Sequence, residues 1–297
     1  MQHRNGEQQY LDILEETYRY GGWYDSRNSR TKNVFDRRID WGLDFPTSTI
    51  RPLGIKNAWE EMKLFLSGKN DTKILEAKGI NFWKGNTSRE FLDSRGLHDL
   101  PEGSLGEAYS HQFRSVPSMR GGDVDQFFEL IYNLKFDPFS RRHSIDLWNV
   151  GAQSSMALPP CWYRSNWYCT SKHGKTYLNV RVDNRSLDIL FGYYQAAMQY
   201  KLLQIALADV LGYEVGVMST THINLHIYEN QMDYVGEMLE RSRTLVPMKV
   251  TSDIKVDKGK AFSVLYAIYH ILNVNWTVED YNPNALNFNT PRPPMNA

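Results

Sequence analysis

The segment Tyr193–Leu211, YYQAAMQYKLLQIALADVL, constrains the fold more than any other part of this chain. It is rich in alanine and leucine and apolar nearly all round, with Gly212 as its stop, which predicts a long helix buried at the centre of the molecule. Upstream, HSIDLWNV, WYRSNWYC and KTYLNVRVD are aromatic and β-branched, with Leu178, Val180 and Val182 alternating, and predict strands. Downstream, EVGVMST and HINLHIY resume the sheet, and a short helix is expected from Asn230.

The first half of the chain reads as helices separated by loops. Tyr10, Leu11, Leu14 and Tyr18 form one stripe of a helix over Glu7–Tyr20, stopped by Gly21-Gly22. DSRNSRTK, Asp25–Lys32, is a polar, turn-rich loop carrying Arg27 and Arg30. A helix over Asn57–Leu66 carries Glu61 and closes at Ser67-Gly68. Lys69–Glu107 predicts loops and short helices, anchored at Phe82-Trp83. Asp125–Leu134 is helical and ends before Asp137-Pro138, while the Pro- and Asn-rich tail from Tyr281 is expected to be irregular. With no repeat, low-complexity block or linker, residues 1–297 read as a single α+β domain.

Lys plus Arg (34) equal Asp plus Glu (34), so no global field favours nucleic acid or an anionic membrane. The polar N-terminal stretch MQHRNGEQQY leads us to expect no signal peptide, and no apolar run approaches the ~18 residues that span a bilayer. The expected compartment is the cytoplasm, a host's cytoplasm if the chain is phage-encoded. Cys161 and Cys169 provide neither a disulfide framework nor a zinc-ligand set, and no metal is expected.

Cys161 follows Pro159-Pro160, a stiff approach that suits a nucleophile, whereas Cys169 sits among aromatics in a strand and reads as structural. Ser140-Arg141-Arg142 and Asn184-Arg185-Ser186, with Arg27 or Arg30, are phosphate ligands converging on one anion site or separate exposed charges. His222, His226 and Tyr228 alternate on one strand face, where His226 and Tyr228 suit a sugar hydroxyl and a metal lacks a third ligand. Glu61 is either a surface charge or a buried general acid/base, and spacing leaves both open.

PFSRRHSIDLWNVG, MALPPC, DNRSLDILFG and HINLHIYENQMD resemble the core of thymidylate synthase and its nucleotide hydroxymethylase relatives. The likeness is colinear from LDILEETYRYG through FPTSTIRPLGI, EEMKLFLSG, INFW and LGEAYSHQFR to the end of the chain. It implies a mixed twisted sheet around the long helix, with a sheet face forming the interface of an obligate homodimer. The implied chemistry is carbon transfer from 5,10-methylenetetrahydrofolate to carbon 5 of a pyrimidine nucleoside monophosphate.

By the same resemblance Cys161 is the nucleophile, its pKa lowered by nearby arginines, and Glu61 and Tyr109 are catalytic. Arg27, Arg185 and Ser186, beside Asn184, bind the phosphate, and Arg141 and Arg142 reach the neighbour's nucleotide. His226 and Tyr228 hold the sugar, and Trp83, Asp188 and Gly192 form the folate surface.

The chain departs from the family at four places. Ala196 replaces the base-reading asparagine, leaving Gln195, Asn224, main chain or water to read the edge. Trp162 follows the nucleophile where histidine is usual, STTHINLH replaces WTGGDTH, and DSRNSRTKN lacks the glycines of the N-terminal loop. These departures favour a dUMP or dCMP hydroxymethylase over a thymidylate synthase, while Trp83 and the full-length tail favour the synthase. A catalytically silent nucleotide-binding homologue is the third reading.

Overall fold

A computed structural model describes residues 5–27, 29–241, 248–255, 261–279, 281 and 290–293. In chain order the elements begin with α1 (Gly6–Tyr20), β1 (Gly22–Asp25), β2 (Arg30–Gly42) and α2 (Ile55–Leu66). Short pieces follow: α3 (Lys73–Glu76), α4 (Arg89–Ser94), α5 (Tyr109–Arg114), β3 (Val116–Pro117) and β4 (Asp123–Val124). Then come α6 (Gln126–Phe136), β5 (Ser144–Asp146), β6 (Trp162–Lys172), β7 (Lys175–Asn184), β8 (Leu187–Asp188) and α7 (Gly192–Leu211). The chain continues through β9 (Glu214–Tyr228), α8 (Met232–Leu239), β10 (Lys249–Ser252), α9 (Val264–Leu272) and β11 (Trp276–Glu279).

The long apolar segment is α7, ended by Gly212 in the left-handed conformation at φ +73°. Leu202, Leu203, Ala206 and Leu207 have no exposed surface, and each leucine of this kind is worth about 2–5 kcal/mol against truncation to alanine. One side of α7 packs on β7 and β9, the other on α2 and α9. Its few polar residues therefore need partners inside the protein. Gln204 finds them by donating to the carbonyl of Leu178 at 2.7 Å, which ties the helix to the sheet.

The sheet is mixed, in the order β1-β2-β9-β7-β6-β5, with β8 also on β9. β7 and β9 run parallel, and the remaining neighbours along that order are antiparallel. α7 serves as the crossover between β7 and β9 and covers one sheet face. The parallel register sets Val180, Val182 and Asn184 beside Met218, Thr220 and His222 under the helix. The opposite face leaves Tyr168, Val217 and Ile223 exposed.

Several expectations change. DSRNSRTK is the turn and flanks of a β1–β2 hairpin, with Asn28 outside the described residues. EVGVMST and HINLHIY form one continuous strand, β9. Of HSIDLWNV only Ser144–Asp146 is strand, and a 3₁₀ helix runs from Val150 to Ser155. α9 and the β10–β11 pair were not foreseen, because short elements packed on α7 carry little periodicity of their own. Most of the expected irregular tail lies outside the described residues.

Candidate active site

The β6–β7 ladder pairs Trp162 with Asn184, which brings Cys161 and Arg185 together at the same end of the sheet. The backbone N–H of Arg185 donates to the carbonyl of Cys161 at 3.0 Å. Its guanidinium donates from Nε to Pro160 O at 2.9 Å and from Nη2 to Pro159 O at 2.8 Å. Nη2 lies 3.9 Å from Cys161 Sγ. The two prolines thus anchor the cation with their carbonyls as well as stiffening the approach to the thiol.

The Cys161 N–H donates to the Tyr109 hydroxyl at 2.8 Å, fixing the residue from the other side. Cys161 is half-buried, and burial pushes its thiol pKa up while Arg185 and Tyr109 pull it down without cancelling the rise. That corrects the expectation of a thiol already lowered by arginines. Cys169 is 1% exposed in β6 with its pKa pushed up to about 11, as befits a structural cysteine.

Glu61 projects from α2 into a buried setting. Its Oε1 accepts from Trp83 Nε1 at 2.6 Å, and its Oε2 accepts from Gln195 Nε2 at 2.8 Å and Gln199 Nε2 at 2.6 Å. Burial raises the carboxyl pKa, and the three donors oppose that rise. Trp83 meets Tyr109 edge-on at 5.6 Å, and Tyr109 stacks on Phe65 at 4.6 Å. Tyr109, coupled electrostatically to Cys161, Arg185 and Glu61, is the hub of the cluster.

Along β9, His226 Nδ1 contacts Asn224 Oδ1 at 2.9 Å, so Nδ1 carries the proton and Nε2 is left as an acceptor. Burial and Arg185 lower the His226 pKa to about 4, keeping the ring neutral at physiological pH. Tyr228 crosses it edge-on at 5.0 Å. Ser186 Oγ donates to the same Asn224 oxygen at 3.4 Å. Asn184 is 1% exposed, and both its amide nitrogen and its oxygen lack a partner.

The other expected phosphate ligands lie further out. Arg27 is exposed in the β1–β2 turn, with its guanidinium 5.0 Å from the Phe91 ring centroid. Arg141 and Arg142 are exposed between α6 and β5, with no salt bridge among the described residues. Only Arg185, of the arginines proposed to converge, touches the thiol. His222 belongs to the core: Nε2 contacts Thr220 Oγ1 at 2.9 Å and the ring meets Trp162 edge-on at 5.4 Å. Among the described residues no His, Cys, Asp or Glu group could hold a metal ion.

Of the expected folate positions, Trp83 is in the cluster, whereas Asp188 is engaged at the start of α7. Its Oδ1 accepts from the N–H groups of Leu190 and Phe191, and its Oδ2 from Gln231. Gly192 lies close to Leu187, whose side chain would have to shift to admit a Cβ, 2.9 Å from Leu187 Cδ1. The sequence reading passed over Arg51, which is 7% exposed and has an unpartnered Nε. Its guanidinium lies 5.9 Å from the Phe191 ring centroid, and that of Arg292 lies 4.9 Å from it. An arginine set between Ile50 and Pro52 in STIRPLG was the available signal. Two cations on an aromatic ring, one with an orphaned buried nitrogen, fit an anionic aromatic co-substrate.

Neither side chain expected to substitute at Ala196 has its polar groups fully free. Gln195 has committed its nitrogen to Glu61, and Asn224 has committed its oxygen to His226 and Ser186. Ala196 itself is 5% exposed on α7. Trp162 packs against Tyr200 and His222, so its departure from the usual histidine fills core volume beneath the thiol.

The sequence model of the thymidylate synthase family matches residues 8–288. A thymidylate synthase of Saccharomyces cerevisiae is 29% identical over 298 residues, which cover 94% of this chain and 94% of the yeast protein. A thymidylate synthase of Herpesvirus ateles is 30% identical over 297 residues, covering 95% of this chain and 97% of the viral one.

Proposed function

The chain belongs to the thymidylate synthase family, and on that premise we propose that it methylates carbon 5 of a pyrimidine nucleoside 5′-monophosphate, dUMP first. The observation that carries this reading is the cluster in which Arg185 faces the Cys161 thiol, the Tyr109 hydroxyl accepts from the Cys161 N–H, and Trp83, edge-on to Tyr109, donates to buried Glu61. The Cys161 thiolate adds to carbon 6, forming an S–C bond and sending the electron pair of the carbon 5–carbon 6 double bond to carbon 5 and the carbon 4 oxygen. Glu61 moves the protons that this oxygen gains and loses. Methylenetetrahydrofolate, when bound, supplies the methylene carbon and then the hydride. The carbon 5 hydrogen leaves as a proton to water before the hydride arrives, and expulsion of the Cys161 thiolate from carbon 6 then restores the ring double bond.

Arg185 and Ser186 take the phosphate, His226 Nε2 and Tyr228 the sugar hydroxyl. Asn184, with donor and acceptor both unspent among the described residues, has the chemistry to read the base. Trp83, Phe191 and Arg51 would hold the folate, with Arg51 facing its anionic end. The exposed Tyr168, Val217 and Ile223 on the open sheet face, together with Arg141 and Arg142, exposed and without a salt bridge among the described residues, support a homodimer with shared sites.

The hydroxymethyl reading rested on four departures, and most of them have a packing account. Trp162 fills the core against His222, DSRNSRTKN is a hairpin, and the amide neighbouring Ala196 holds Glu61. Trp83 is retained and bonded to Glu61, and both relatives bear the name thymidylate synthase, which supports methyl as the product. The test incubates the protein with methylenetetrahydrofolate and dUMP, dCMP or CMP and weighs the products. Methylated dUMP is expected, and a hydroxymethyl product would overturn the reading. Exchange of the carbon 5 hydrogen into solvent must occur in the wild type and vanish in Cys161→Ser; its absence from the wild type would point to a silent homologue.

A further inference from the structure

Glu61 is a buried carboxylate that among the described residues has no cation beside it. The lysines of its own neighbourhood, Lys63 and Lys78, are bound to Glu60. Its partners are three neutral donors, and two of them, Gln195 and Gln199, stand one turn apart on α7 with both nitrogens on the same oxygen, Oε2. α7 is apolar nearly all round, so two glutamines there need a polar partner, and Glu61 is that partner.

We propose that Gln195 and Gln199 are positioning residues that form an amide clamp on Glu61, holding it ionised and aimed, and releasing it by turning over one amide when it takes a proton. The hydrogen-bond inventory favours the turn when the proton sits on Oε2, the oxygen that both amides share. An ionised carboxylate accepts only, so both amides must present nitrogen; a carboxylic acid has an O–H to donate, and an amide oxygen is the acceptor within reach. Rotation about the terminal torsion exchanges Nε2 for Oε1 in place. Gln199 is 5% exposed, whereas Gln195 is half-buried, which makes Gln195 the amide that turns.

The titratable group facing Glu61 is Tyr109 from α5, with Cys161 and Arg185 beyond it; α7 contributes the two amides, and Trp83 its indole. The clamp rests on the reading of Glu61 as the group that moves protons at the base, and its test is independent of turnover. Full-length protein labelled with ¹³C at the glutamate carboxyls is titrated by NMR, with Glu61→Gln identifying the resonance. Gln199→Met and Gln195→Met are each expected to raise the Glu61 titration by about one to two pH units, the size of one charge-assisted hydrogen bond. The acid limb of the kcat–pH profile should move up with it. Either variant alone suffices if the other fails to fold. A Glu61 resonance that titrates at the wild-type pH in the folded variants overturns the clamp, as does a kcat that falls with no movement of the limb. Failure of carbon 5 exchange in the wild type strikes the proposed function instead and leaves the titration readable.

Discussion

Replacing Arg185 by methionine removes the one guanidinium beside the Cys161 thiol and keeps a side chain of similar length. The charge-to-sulfur separation is 3.9 Å. At that distance a unit pair interacts by roughly 1 kcal/mol with the screening of water and roughly 4 kcal/mol with that of a protein surface. Both residues are half-buried, which places the effect between those limits, at about 2 kcal/mol or roughly 1.5 pH units of thiol pKa. Burial already raises the thiol, and Arg185 is the largest influence pulling it down, so its loss moves the pKa further up. The assay is the pH dependence of alkylation by iodoacetamide in a Cys169→Ala background. Arg185→Met should shift the alkylation curve up by about 1.5 pH units, whereas Arg185→Lys should shift it less, since it keeps the charge and loses the fork on the proline carbonyls. Superimposable curves for wild type and Arg185→Met would refute the argument that this cation tunes the nucleophile.

Two further predictions concern stability. Lys201 lies within α7 at 1% exposure with no hydrogen-bond partner for Nζ among the described residues, and burial lowers its pKa from 10.5 to about 8. Its folded pKa lies below the unfolded one, so the penalty is full below about pH 8 and fades as the pH rises to 10.5. Lys201→Met should therefore stabilise the protein near neutral pH by up to about 3 kcal/mol in urea titrations, and the gain should shrink at higher pH; an unchanged midpoint would show that the amine is satisfied. His222 has its pKa lowered from 6.5 to about 3 by burial, so its contribution is complete above pH 6.5 and is lost as the pH falls toward 3. Between about pH 6.5 and 5 the loss is about 2 kcal/mol, and His222→Phe, which keeps the ring packing on Trp162, should flatten that decline. A variant whose acid sensitivity matches the wild type would place the loss elsewhere.

What the sequence by itself determined follows from local periodicity and residue chemistry. An apolar helix had to be central, alternating Leu178, Val180 and Val182 had to form a buried strand, and a cysteine after two prolines stood out. The family was likewise legible through resemblance, since motifs such as DNRSLDILFG are contiguous. The union of EVGVMST and HINLHIY into one strand was hidden because pairing with β2 and β7 holds it together.

Tertiary structure decided how those residues are charged and held, because protonation and hydrogen-bond assignment depend on what faces a group across the fold. A surface glutamate and a buried acid look the same along α2; only the packing of α2 on α7 set Glu61 between Trp83, Gln195 and Gln199. Likewise the sequence put two prolines before Cys161, but the β6–β7 register turned their carbonyls into the anchor of Arg185. Burial then raised the thiol pKa that proximity to arginine alone would have lowered.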